Sequence, residues 1–197
     1  MAATQAPAVI DAFCDAFRDY PVMRHVIGPA DPDDAERLRA LIELFVMTRV
    51  RRDDPMLAIA DDDRLLGAAT FTVPGPVEPL PETAAHKQRV FARLGDDARE
   101  RYEAFAASGS TFFAALGPHY HLNMLGVRRA VAGRGLGRRL LDAAAGLSRA
   151  HQASTGVSLT TENPRNVPLY EHIGFRVVGH ARVAPTLESW GLFLETG

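Results

Sequence analysis

The sequence predicts an α/β fold, with a mixed, mostly antiparallel central sheet flanked by helices. Three observations lead there. Apolar residues recur with helical spacing in some stretches and with strand-like alternation in others. The stretch 121–141, H-L-N-M-L-G-V-R-R-A-V-A-G-R-G-L-G-R-R-L-L, reads as a strand, a glycine-rich turn and the opening of a helix. A hairpin precedes that stretch and two strands close the chain, so the element order is ααββ(αα)βαβαββ.

Taken in order, residues 6–18 place Ala8, Val9, Ala12, Phe13, Ala16 and Phe17 on one helical face, and Tyr20-Pro21 is expected to end that helix. Residues 33–51 form a second helix with a stripe of Leu38, Leu41, Ile42, Phe45 and Val46, capped by Asp31 or Asp33. Strands at 56–60 and 65–73 flank a turn at Asp61, Asp62 and Asp63. Pro74, Pro76, Pro79 and Pro81 then break regular structure. A helical insert, 83–107, follows before the central strand. Val90, Phe91 and Leu94, then Tyr102 and Phe105, suggest two helices parted near Gly95. After the glycine turn and its helix comes a buried strand at 157–161. Asn166 is expected to cap a short helix ended by Gly174, and strands at 175–183 and 190–194 close the sheet.

The 197 residues are expected to form a single domain with one core. A net charge of -2 argues against general nucleic-acid binding, which wants a basic face. Cys14 is the only cysteine, which excludes an internal disulfide and suits a reducing, cytoplasmic setting; Phe13 and Phe17 beside it suggest a packed thiol. No apolar run is long enough to span a bilayer, and the N-terminus lacks the basic and apolar regions of a secretory signal.

The chemistry concentrates in the glycine turn. Gly133, Gly135 and Gly137 lie among Arg134, Arg138 and Arg139, ahead of Leu136, Leu140, Leu141 and Ala144 at helical spacing. A helix that opens on glycines offers unhindered backbone N–H groups and the positive end of its dipole, an anion site for which phosphate is the usual guest. Arg128, Arg129, Arg134, Arg138 and Arg139 fall within twelve residues, which suits an anion of several charges. The dinucleotide fingerprint fails because Arg138 stands where its last glycine belongs, and the Gly-Lys-Ser/Thr of a P-loop is absent.

The run V-x-x-x-x-A-G-R-G-L-G-R-R-L-L resembles the acetyl-CoA pyrophosphate loop of the GNAT N-acetyltransferase superfamily. Its core pattern is Gln/Arg-x-x-Gly-x-Gly/Ala. Gly135 and Gly137 match it, and Ala132 replaces the usual Gln or Arg. N-P-R-N-V-P-L-Y-E-H-I-G-F, from Asn163 to Phe175, resembles the superfamily's late motif. F-R-D-Y-P-V-M-R-H, E-L-F with T-R-V, and the late motif are in turn similar to the puromycin N-acetyltransferase subfamily. Most members begin with a strand before the first helix. Here the first strand is expected to be missing or replaced, whether as a feature of the protein or through a misassigned start codon.

The resemblance implies direct attack of an amine on the thioester of acetyl-CoA, the co-substrate. That reaction requires a neutral amine, a donor for the developing oxyanion and a proton for the departing thiolate. By the same resemblance, backbone groups of Leu125, Gly126 and Val127 hold the thioester and pantetheine arm, on a strand that splays from its neighbour. Ala132, Gly133, Arg134, Gly135, Leu136, Gly137 and Arg138 cradle the pyrophosphate, and Asn163 or Asn166 contacts the cofactor. Tyr170 matches the family's general acid. Relatives carry a glutamate where this chain has Thr160, and Glu162 lies two residues on, on the same strand face. Glu162 is therefore a candidate base, as are His119 and His121 on the central strand. A metal role for that histidine pair lacks further ligands, so no metal is expected.

The expected acceptor is a small-molecule amine. Its cleft would lie between the first two helices, the insert and the Trp190 region, with Phe17, Tyr20, Phe112, Phe113 and Trp190 nearby and acidic side chains to attract a cation. Acylation of protein N-termini or lysines, and a CoA-binding regulatory or interaction module without turnover, are the alternatives. A homodimer is open. Neither nucleic acid nor membrane is an expected partner.

Overall fold

The computed structural model describes residues 5–29, 32–62 and 64–197. The candidate cap Asp31 and turn residue Asp63 lie outside them, as do residues 1–4. Helix α1 (Ala6–Ala16) buries Val9, Ile10, Ala12 and Phe13. Contrary to expectation, Pro21 starts a helix rather than merely closing one. α2 (Pro21–Ile27) carries Pro21 in its first turn and buries Val22, Met23, Val26 and Ile27. Proline is tolerated there because the first N–H groups of a helix have no intrahelical partner. α3 (Asp34–Arg51) follows, with Asp33 at its N-cap position. Strands β1 (Met56–Asp61) and β2 (Arg64–Thr72) form the hairpin, and the insert is two helices, α4 (Pro81–Leu94) and α5 (Asp96–Ser108), meeting at Gly95. Then come β3 (Tyr120–Val127), α6 (Leu136–Ala150), β4 (Gly156–Thr161), α7 (Val167–Ile173), β5 (Arg176–Ala184) and β6 (Leu187–Glu195).

Among the described residues these strands make one six-stranded sheet in the order β1-β2-β3-β4-β6-β5. Only the β3–β4 pairing is parallel. No strand precedes α1 among the described residues. One face packs on α1 and α3, with α4 of the insert on α3 and α5 on α2 and α4, and its core holds Phe13, Leu41, Ile42, Phe91 and Met124. The other face packs on α6, around Phe71, Leu122, Leu140, Leu159 and Leu192.

The centre of the sheet is irregular in two ways. Thr70 pairs with Met124 while Phe71 pairs with Leu122, so Asn123 is bulged out of the β2–β3 ladder. The extra residue reverses the alternation: Leu122 faces the α6 core, whereas Met124, two residues on, faces the α1 core. The β3–β4 ladder also stops early, at Leu122 opposite Leu159. Beyond that point the strands run on unpaired with each other, β3 to Val127 and β4 to Thr161. The gap between them positions the site.

Candidate active site

On one flank of the gap lies the glycine loop. Gly133 and Gly135 adopt φ of +77° and +75°, the left-handed region that side chains resist, and Gly135 is the N-cap of α6. A Cβ built on either would meet nothing within 4 Å, so the backbone stands open to solvent. Leu136 is buried and anchors the first turn of α6, while Ala132, Arg134 and Arg138 are exposed and Gly137 partly so. The five arginines do not act together. Arg128 Nε donates to the Leu65 carbonyl at 2.7 Å, and Arg129 pairs with Asp19. Arg138 pairs with Asp142 at 2.8 Å, one turn along α6. Arg134 and Arg139 have no side-chain partner among the described residues, so they are the cations free for an anion at the loop.

On the other flank the splayed strands open into a cavity of about 430 Å³. Its polar wall comes from β3, β4, the turn after β4 and α7: His121, Asn123, Thr160, Glu162, Asn166 and Tyr170. Its aromatic and apolar wall includes Phe17, Tyr20, Met23, Phe45, Tyr102 and Phe105, from the N-terminal helices and the insert. Leu125 also lines it, whereas Gly126 and Val127 lie further along β3.

Glu162 follows the last residue of β4 and is only 5 % exposed. The Ser189 hydroxyl, from β6, donates to its Oε1 at 2.9 Å. Burial pushes the carboxyl up to about 7, and the Ser189 bond only partly offsets it, because that donor favours the charged form. Tyr20 buttresses the same corner. Its hydroxyl lies 3.0 Å from Thr161 Oγ1 and accepts from the Glu162 backbone N–H at 3.2 Å. Burial, and then the Glu162 charge, raises the Tyr20 phenol. Tyr170 stands on α7 with its ring edge-on to Phe175, centroids 5.6 Å apart. Its phenol is pushed up to about 12, first by burial and then by the Glu162 charge. The glutamate and the tyrosine thus sense one another electrostatically.

The remaining candidates separate. His121 lines the cavity, but its Nδ1 sits 2.8 Å from Ser158 Oγ, and burial pushes its pKa down to about 4. It is neutral at pH 7 and far weaker as a base than Glu162. His119 packs on Phe113 and Phe193, away from the lining. Asn166 does not cap α7 with its side chain. Its Nδ2 donates instead to Thr161 Oγ1 at 3.1 Å, holding the amide on the cavity wall. The capping role falls to Asn163, whose Oδ1 accepts from the Arg165 N–H at 3.1 Å and closes the turn ahead of α7.

The expected aromatic cleft is corrected. Phe112 packs onto Gly179 and Gly191 of β5 and β6, Phe113 against the two histidines, and Trp190 stacks on His180 at 5.0 Å. None of the three lines the cavity. Nor is the lining acidic: Glu162 is its one carboxylate among the described residues, and Arg49 and Lys87 are its cations. Those two and Ser189 were not singled out from the sequence, and Tyr102 was read only as part of an insert helix. The usable signal was the amphipathic face of the insert, where Thr83 and Lys87 stand four residues apart.

A family profile, Acetyltransferase (GNAT) family, matches residues 10–175. Solved structures share the fold at low identity. One is histone acetyltransferase HPA2 and related acetyltransferase from Corynebacterium glutamicum, at TM-score 0.71 and 19% identity over 100% of this chain and 94% of the other. The Drosophila melanogaster polyamine N-acetyltransferase, which forms N-acetylagmatine, superposes at TM-score 0.67 with 15% identity, over 98% and 95% of the two chains. The Escherichia coli ribosomal-protein-S18-alanine N-acetyltransferase does so at 0.60 with 13% identity, over 100% and 91%. The profile match spans most of the chain and includes the splayed strands and the glycine loop, so this chain belongs to the GNAT family of acetyl-CoA-dependent N-acetyltransferases.

Proposed function

We propose that this protein transfers the acetyl group of acetyl-CoA to the primary amine of a small molecule, with Glu162 as base and Tyr170 as acid. The observation that carries the reading is the shared cavity at the β3–β4 gap, where a carboxyl poised near neutrality and a desolvated phenol stand on one wall. The co-substrate's diphosphate fits the loop, since the open backbone at Gly133 and Gly135 leaves room for close approach and Arg134 and Arg139 are unpaired there among the described residues. The unpaired edge of β3 from Leu125 to Val127 offers backbone groups to the amide-bearing arm, and the Asn166 amide is at hand on the same wall.

Bound acetyl-CoA supplies an acetyl thioester whose carbon–sulfur bond is exchanged for a carbon–nitrogen bond to the amine. Glu162 Oε takes the proton lost by the nitrogen, directly or through one water. The Tyr170 hydroxyl holds the proton offered to the departing sulfur. As Glu162 takes up its proton, the charge that raises the Tyr170 pKa disappears, so the phenol becomes more acidic when its proton is needed.

The insert walls the cavity with Thr83, Lys87, Tyr102 and Phe105, which favours a small acceptor over an extended peptide. Both proton-transfer groups are present, which favours turnover over a regulatory module. Within the family we place the chain nearest the puromycin N-acetyltransferase relatives, on F-R-D-Y-P-V-M-R-H and P-R-N-V-P-L-Y-E-H-I-G-F. A cytoplasmic, single-domain protein completes the proposal. A CoA-release assay against a panel of small amines tests it, with Glu162→Gln as control. Wild-type turnover lost in the variant is the expected result. A folded wild type that binds acetyl-CoA but acetylates only peptides, or nothing, overturns the reading.

A further inference from the structure

The cavity's charge does not suit a simple cation. Lys87 Nζ lies 4.7 Å from the Tyr102 ring centroid and has no carboxylate partner among the described residues. Thr83 stands one turn earlier on the same face of α4. Its Oγ1 is buried without a hydrogen-bond partner among the described residues, a state that ordinarily costs stability and leaves the hydroxyl free to bond a group entering the cavity. Both residues line the cavity. Arg49, on α3, is a third polar group there. It is neutralised by Asp54 at 3.1 Å and bonds to Thr72, so it adds donor capacity without excess charge. Glu162, the one carboxylate of the lining among the described residues, directly follows β4 and is not on the insert. Between these groups the wall is Phe45, Tyr102, Phe105 and Met23.

We infer that the acceptor is an amine whose aromatic or apolar body also carries a carboxylate, bound by Lys87 and Thr83 of the insert while its nitrogen faces Glu162. The inference rests on the reading of this cavity as the acceptor site. An ammonium–carboxylate contact in a partly desolvated cavity favours the anionic ligand by about tenfold or more. A diamine or polyamine meets Lys87 as a like charge and is disfavoured. The polyamine specificity of a fold relative therefore does not transfer to this chain.

The test uses a matched pair of probes, phenethylamine and 4-(2-aminoethyl)benzoate, which share amine and ring and differ in the carboxylate. Binding of each to the full-length protein is measured by calorimetry, and kcat/KM by CoA release. The expected result is a preference of about tenfold or more for the carboxylated amine in Kd, carried in KM during turnover. In Lys87→Met the ratio between the probes falls to about one. Lys87→Arg restores part of it, and Thr83→Val lowers it by a smaller factor. Equal binding of the two probes by wild type, binding of neither, or a preference that survives Lys87→Met overturns the inference. A preference in binding that follows Lys87, without acetylation of either probe, supports the ligand class and counts against acetyl transfer, so the two claims fail separately.

Discussion

The Ser189 hydroxyl donates to Glu162 Oε1 at 2.9 Å, from a strand two residues closer to the hairpin end than the Gly191–Thr160 pairing. This buried bond, with burial itself, sets where the carboxyl titrates. A base pushed up to about 7 must be ionised to accept a proton, so kcat/KM rises with pH through an apparent value near 7. Ser189→Ala removes a donor that favours the charged form. The inflection should move to higher pH by about one unit, read from the pH–rate profile.

The same shift has a stability consequence of definite sign. Glu162 titrates higher in the folded protein than the ordinary 4.5 of a glutamate, so its contribution is fully present below that value and is lost as pH rises through about 7. Glu162→Gln should unfold at a more nearly constant urea midpoint across pH 5–8 and exceed wild type above pH 7. His121 works in the other direction. Pushed down to about 4, it costs stability as pH falls from about 6.5 towards 4, where the unfolded chain binds the proton more readily.

Tyr170→Phe keeps the ring that packs edge-on to Phe175 and removes only the hydroxyl. Stability should change little. A lost general acid typically lowers the rate by about 10²-fold or more, so kcat should fall while the affinity for acetyl-CoA measured by calorimetry is retained.

Phe112 is the cover for two glycines of the closing hairpin. A Cβ at Gly191 would lie 2.6 Å from Phe112 Cδ2, and one at Gly179 would lie 2.3 Å from Phe112 Cδ1. Gly191→Ala must displace the ring and should destabilise the protein by about 1–3 kcal/mol, measured by urea denaturation. Because Gly191 pairs with Thr160, activity should fall in step with folding.

The order of strands and most helices was legible because each is a local periodicity: the stripe of α3, the alternation of β3, the glycines ahead of α6. What failed locally failed for nameable reasons. Tyr20-Pro21 reads as a terminator, yet proline suits the first turn of a new helix, and Val22, Met23, Val26 and Ile27 supply the buried face of α2. Asn166 has the residue type of a cap, but Thr161 Oγ1, five residues back, takes its amide. The cavity was less legible because its walls meet only through the tertiary fold. Phe112 and Phe113 were expected there, and the glycines of β5 and β6 claim the first while the histidines claim the second. Lys87 and Arg49 took their places from helices whose packing no short-range pattern encodes. The family motifs pointed to Tyr170 and the loop; the elevated carboxyl at Glu162 needed the burial and Ser189 to be seen.

The central claim is that the open loop at Gly133 and Gly135 binds acetyl-CoA for transfer, and calorimetric titration of the full-length protein with acetyl-CoA tests it most directly. Wild type should bind at micromolar Kd or tighter. Gly135→Glu, which sets a side chain in a left-handed position and a negative charge in the cradle, should remain folded and lose at least about a hundredfold in affinity. A folded wild type with no measurable affinity, or a Gly135→Glu variant that binds as well as wild type, would contradict the account.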